Sequence, residues 1–196
     1  LIFPSGLDSL AKVYAADLEW AADAVGRDFP YKACEFRRRK LPVVLHPFAA
    51  YSNGASMWLP SQMSLYTCPS AYTPESTPWD LHLSVHESRH VAQTSIASVP
   101  KYRWAEILTG EMVGGGIQEL YLDNAFIEGD AVQAETDLTT GGRGRSADFM
   151  EYMRAAFAQG DYRDYYQWRY GSFGKYTPDY YKVGYFTMNG MREVFD

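Results

Sequence analysis

The sequence predicts an α+β fold: a small, mainly antiparallel sheet packed on the helix that carries residues 86–90, followed by a mostly helical lobe. Three observations lead to that expectation. Apolar residues recur at three- and four-residue steps in 7–25, short apolar runs bounded by turn residues fill 41–68, and helical spacing returns from 78 onward. The order helix, sheet, helices is that of an α+β chain, not of alternating βα units.

Taken in order, Leu7, Leu10, Ala11, Tyr14, Leu18, Ala21 and Val25 form one face of an amphipathic helix. It is expected to stop near Gly26, with Pro30 beyond. "LPVVLHPF", "ASMWLP" and "QMSLYTCP" read as short strands, with Asn53-Gly54 as a turn signal between the first two. The loop "SAYTPESTPWD" ends in a helix start: Thr77 as N-cap, Pro78 at the first helical position, Asp80 three residues after the cap. That helix is expected over 78–97, ending before Pro100. Further helical spacing covers segments near 102–111, 115–122, 124–138, 146–158 and 178–195, broken by glycines at 114–116 and 141–142. No internal repeat and no low-complexity tract is present.

At 196 residues the chain fits a single domain of two lobes, about 1–100 and 101–196, with room for a real core. Hydrophobic residues make up 46% and charged residues 21%, an ordinary globular balance. A net charge of −6 disfavours a general nucleic-acid binder, and the one basic run, Arg37 to Lys40, reads as a solvated loop or strand edge. No apolar stretch approaches the roughly 20 residues of a membrane helix. Without an initiator Met or a signal-peptide pattern, the chain reads as a mature form or a domain excised from a longer one. Cys34 and Cys68 are either separate thiols or one disulfide; two cysteines cannot build a Cys-rich zinc site. The 16 Tyr and 5 Trp suit an aromatic-lined surface or cleft without naming a ligand.

The chemistry concentrates in "LSVHESRHVAQTS", residues 83–95. On a helix, positions i and i+4 share a face, so His86 and His90 can hold one ion between them. Glu87 is rotated by about 100° and points beside the ion, where a metal-bound water would sit. H-E-x-x-H thus supplies two ligands and a base from a single turn, and by residue frequencies it arises by chance in roughly one chain of this length in a few hundred. A catalytic zinc ion (Zn2+) needs a third protein ligand and an open position. The other histidines, His46 and His82, lie upstream, and no third histidine follows. "NAFIEGDAVQAET" offers Glu128 on a second expected helix as that ligand. Glu135, two turns on and on the same face, either hydrogen-bonds the back of a ligand imidazole or is a solvated charge.

With "HESRH" (86–90) followed by "EGDAVQAE" (128–135), the chain resembles the gluzincin zinc metallopeptidases, the thermolysin-like and aminopeptidase-like clan. "WDLHLSVHESRHVAQ" and "FIEGDAVQAETDLTTGGRGR" look closer still to the peptidase-like domain of large bacterial envelope proteins, in which a β-propeller often follows. The resemblance covers most of 41–196, although only about forty residues carry specific motifs. It implies His86, His90 and Glu128 as zinc ligands, Glu87 as general base, an extracytoplasmic location and additional domains in a longer protein. It also implies an oxyanion-stabilising tyrosine in a Y-x-x-G motif, matched by Tyr181 and Gly184; the competing account of Tyr181 is core packing of an aromatic helix. In this clan an edge strand pairs with the extended substrate, and "NGASMWLP" is its counterpart. Aminopeptidases carry a glutamate there to hold the substrate's free amine. Gly54-Ala55-Ser56-Met57-Trp58 contains no acid, and the His90-to-Glu128 spacing is longer than in the best-known members.

The resulting expectation is zinc-dependent hydrolysis of a peptide bond by metal-activated water, with endopeptidase action favoured over aminopeptidase action. Two other classes stand beside it: a peptidase-like domain serving as a binding or scaffold module in a larger surface protein, and a zinc hydrolase acting on a non-peptide substrate. Arg143 and Arg145 in "TTGGRGRSADF" either bind a substrate carboxylate or cap the preceding helix.

Overall fold

The computed structural model describes residues 1–28, 40–58, 60–71, 76–95, 103–109 and 122–195. It is a mixed, helix-rich fold with one small sheet, and it divides into two compact units, Leu1–Tyr121 and Leu122–Asp196. Cys34, Arg37 to Arg39 and all but the last residue of the helix expected near 115–122 lie outside the described residues; Cys68 is a free, exposed thiol.

The first unit opens with α1 (Asp8–Asp28), which runs two residues past Gly26. A single glycine costs a helix only about 1 kcal/mol, and Ala21, Ala24 and Val25, all buried, hold this end in place. The sheet contains β1 (Val43–His46), β2 (Gly54–Trp58) and β3 (Ser61–Tyr66) in the order β1-β3-β2. It is mixed: β3 pairs antiparallel with β2 but parallel with β1, placing Val43 beside Met63 and Leu45 beside Leu65. The expectation of a mainly antiparallel sheet fails because Asn53-Gly54 does not close a hairpin. Gly54 instead begins β2, its N–H donating to Asn53 Oδ1 at 3.0 Å. β2 and β3 pair antiparallel as far as Trp58 and Ser61, and β3 lies between β1 and β2 and runs parallel with β1. Alternation along β1 and β3 turns Val43, Leu45, Met63 and Leu65 to one core with Ala11, Tyr14 and Leu83.

Leu83 belongs to α2 (Trp79–Thr94), which starts one residue later than expected. Pro78, at φ −51° and ψ 139°, is still extended and serves as the cap in place of Thr77. The Trp79 indole N–H donates to the Tyr66 carbonyl at 2.8 Å and ties the start of the helix to β3. Every residue from His82 to Arg89 is buried, although most of them are polar or charged. Short α3 (Arg103–Thr109) completes the described part of this unit.

In the second unit, Asp123 caps α4 (Asn124–Leu138), accepting the Ala125 N–H at 2.9 Å, the Arg169 Nε–H at 2.7 Å and the Tyr170 hydroxyl at 2.9 Å. Burial opposes its charge, but these donors outweigh that and hold its carboxyl below the usual range. A single 3-10 turn (Arg143–Arg145) leads to α5 (Ala147–Ala158). The sequence reading missed α6 (Tyr165–Tyr170), six residues with no room for apolar periodicity, formed by an Asp164–Gln167 capping box and ended by Gly171 at φ +65°. Last comes α7 (Tyr180–Phe195). Its backbone lies directly on α4 where Gly129 meets Gly184; a Cβ on Gly184 would overlap the Ala125 carbonyl. Val132, Phe149 and Tyr185 pack beside that crossing, and Met153, Ala156, Trp168 and Val183 form the neighbouring core. Among the described residues no helix is long and apolar enough to cross a membrane.

Candidate metal centre

In the first unit, one turn of α2 brings His86 and His90 together. Their Nε2 atoms lie 3.0 Å apart, with ring planes at 89°. Two ring nitrogens at such a distance repel through their lone pairs unless a proton or a cation lies between them. Nitrogens bound to one tetrahedral zinc ion stand about 3.3 Å apart, as follows from Zn–N bonds of about 2.0–2.1 Å. The His90 Nδ1–H donates to Gln93 Oε1 at 2.9 Å, which leaves the Nε2 lone pair directed at His86. Gln93 is buried, so this tautomer is held firmly. Behind His86, the His82 ring stacks at 6.3 Å, and beyond it Trp79 stacks on His82 at 5.6 Å. His46 is elsewhere in the unit, stacked on Tyr66.

Glu87 is 3% exposed. Its carboxylate lies against Gly54 of β2, where any Cβ would overlap it, and its backbone carbonyl accepts the Ser56 hydroxyl at 3.0 Å. Its Oε2 has no hydrogen-bond partner among the described residues. A buried carboxylate oxygen left so costs about 1–3 kcal/mol or more, the desolvation penalty of an unmade hydrogen bond to a charged group. The group is explained if a polar or cationic species shares its site. The two facing imidazoles are thus a donor pair that could share a cation, with this acid beside them on the same turn.

The second unit places Glu128 on α4, half-buried, and Tyr181 on the first turn of α7, also half-buried. Burial, and then the nearby Glu128 charge, push the Tyr181 phenol well above its ordinary range, so it keeps its proton and remains a donor. Gly184, the glycine of the Y-x-x-G match, serves the packing of two helices, because it lets α7 touch α4 next to Gly129, one residue from Glu128. Glu135 is 1% exposed and forms a two-point ion pair with Arg143, Nε to Oε2 at 3.0 Å and NH2 to Oε1 at 2.5 Å. Arg145 instead donates to the Thr136 carbonyl at 2.9 Å, bonding the end of the preceding helix, as one of its two expected roles required.

Among the described residues, His86, His90 and Glu128 are the group of three ligand-type side chains suited to holding a metal ion. The sequence reading did not single out Gln93 or Ser56. Gln93 follows His90 by three residues, the helical step at which side chains meet, and that spacing was the available signal. Ser56 reaches Glu87 across thirty-one residues of chain, for which no local signal exists. Comparison of the chain with protein-family models, with curated proteins and with solved structures gives no match.

Proposed function

We propose that this chain is a zinc-dependent peptidase in which His86, His90 and Glu128 hold the metal and Glu87 is the general base. One observation carries the reading: a buried turn that directs two imidazole nitrogens at each other, 3.0 Å apart, and keeps on the same turn a carboxylate whose Oε2 has no partner among the described residues. The imidazole pair can share a proton, but the buried carboxylate oxygen has no such partner among the described residues, and a structural helix gains nothing from leaving it so.

When bound, zinc supplies a water whose pKa falls to about 7 and a positive charge for the carbonyl oxygen of the substrate. The residues of the chain do the rest. Glu87 takes the proton of the attacking water and delivers it to the leaving nitrogen. Tyr181, kept protonated by burial and by the Glu128 charge, donates to the developing oxyanion. Among the described strands β2 is a sheet edge, with β3 on one side, and its outer backbone groups can pair with an extended peptide. Gly54 to Trp58 offer no carboxylate to hold a free amine, which favours cleavage within the peptide over aminopeptidase action. The same reading makes the chain the peptidase domain of a larger protein of the cell envelope or exterior.

The test is metal analysis combined with digestion of a peptide library in which half the members are N-acetylated. The expected result is one zinc per chain, cleavage of acetylated and free peptides alike, loss of cleavage with a chelator, and recovery on adding zinc. Cleavage only of free-amine peptides would make the chain an aminopeptidase. Zinc bound without any cleavage would favour a binding or scaffold module, and cleavage indifferent to chelator would remove the metal from the chemistry.

A further inference from the structure

We infer that Arg143 is a positioning residue for the metal centre and not a clamp for substrate carboxylates. The inference rests on the function proposed above and concerns how the Glu128 face of the second unit is held.

The segment Gly141-Gly142-Arg143-Gly144-Arg145 is moulded onto the last turns of α4. A Cβ on Gly142 would press on the Glu135 carbonyl at 2.5 Å, and one on Gly144 would overlap the Tyr185 hydroxyl. The Gly144 N–H donates to Thr136 Oγ1 at 3.1 Å, and Arg145 donates to the Thr136 carbonyl. The backbone on both sides of Arg143 is thus fixed to α4. From this anchored position the guanidinium uses two of its donors on Glu135, which is 1% exposed, and lies 5.0 Å from the centre of the Tyr181 ring.

The fork therefore faces a buried carboxylate of its own chain, and the cation lies over the ring of the residue assigned to the oxyanion. Glu135 shares a helix face with Glu128, two turns away. A single planar cation fixes the orientation of Glu135 and seats the Tyr181 phenol. A lysine could supply the charge but neither the two-point geometry nor the stacking face.

The closing experiment compares Arg143→Lys with the parent protein, using peptide pairs that differ only in a free or amidated C-terminus. A chromophoric chelator competing for zinc gives a second readout. With Tm within a few degrees of the parent, Arg143→Lys is expected to lower kcat about ten- to a hundredfold on both members of each pair and leave KM nearly unchanged. Zinc affinity is expected to fall as well, because Glu128 stands on the same helix face as the Glu135 that Arg143 anchors. If Arg143→Lys unfolds the chain, Arg143→Gln with Glu135→Gln keeps the pair neutral and hydrogen-bonded, and the same kcat loss with unchanged KM is expected of it. A rise in KM confined to free-carboxylate peptides would make Arg143 a substrate clamp and overturn the inference. Unchanged kcat and zinc affinity would overturn it as well, with the parent's activity still supporting the metal centre. A parent protein that binds no zinc removes the metal centre itself, and this inference with it.

Discussion

Glu87 and Glu135 are both buried helical carboxylates, 3% and 1% exposed, yet the two regions treat them in opposite ways. Around Glu135 the chain supplies a two-point arginine, with a backbone segment folded to deliver it. Around Glu87 it supplies a bare glycine, and Oε2 has no partner among the described residues. Burial alone therefore does not tell how the chain treats an acid. What separates the two is whether the fold completes the hydrogen bonding or leaves it for another species to complete.

Breaking each acid in turn sharpens that contrast. The largest effect is expected at Glu87. Glu87→Gln keeps shape and metal but lowers kcat by about a hundred- to ten-thousandfold, with the zinc content unchanged and thermal stability equal or higher, because the unsatisfied charge is gone. A fully active Glu87→Gln protein would remove it from the chemistry. Arg143→Met should act on the other acid with the opposite signature. It leaves Glu135 without its arginine and destabilises the protein by about 3 kcal/mol, the low end for a broken buried pair since Arg143 is itself 20% exposed. In urea unfolding, adding Glu135→Gln should restore much of that loss; additive losses would show that the pair does not act as a unit.

A smaller effect is expected at Gly54→Ala. The new methyl group would displace the Glu87 carboxylate, lowering stability by about 1–3 kcal/mol and turnover with it, while zinc is retained. Unchanged turnover would mean that the position of Glu87 against β2 is immaterial.

Asp17 on α1 sharpens the comparison most gently, as a half-buried acid accommodated in a third way. Its carboxyl is pushed up to about 6, first by burial and then by a hydrogen bond and charge repulsion from Asp80. A raised acid pKa means that the folded state holds the proton more tightly than the unfolded one. Its favourable contribution is fully present below the unfolded value of 3.8 and is lost as pH rises through about 6. Stability should therefore fall across that window, and Asp17→Asn should flatten this component of the dependence. A curve with the same slope in both proteins would assign the change to other groups.

Much of this protein can be read locally. The i, i+4 spacing of His86 and His90, the helices over 8–28, 79–94, 124–138, 147–158 and 180–195, and the seven-residue step from Glu128 to Glu135 all follow from helical periodicity, which acts within a few turns of chain. The strand segments are local too, because alternation and turn residues are short-range signals. Strand order is not: Asn53-Gly54 has hairpin chemistry, yet the parallel β1–β3 pairing requires β3 to insert between two earlier strands. The short helix over 165–170 escaped because a six-residue segment has almost no periodicity to display.

The sequence by itself determined which residue types stand on one helical face, since the 3.6-residue repeat is a property of the backbone. Only the tertiary structure decided which of the acids are satisfied. Gly54 lies thirty-three residues from the Glu87 it leaves room for, and Arg143 reaches Glu135 only because Gly142 and Gly144 let the chain lie flat on α4. Such pairings depend on close approach between segments distant in the chain, a quantity that no local repeat encodes.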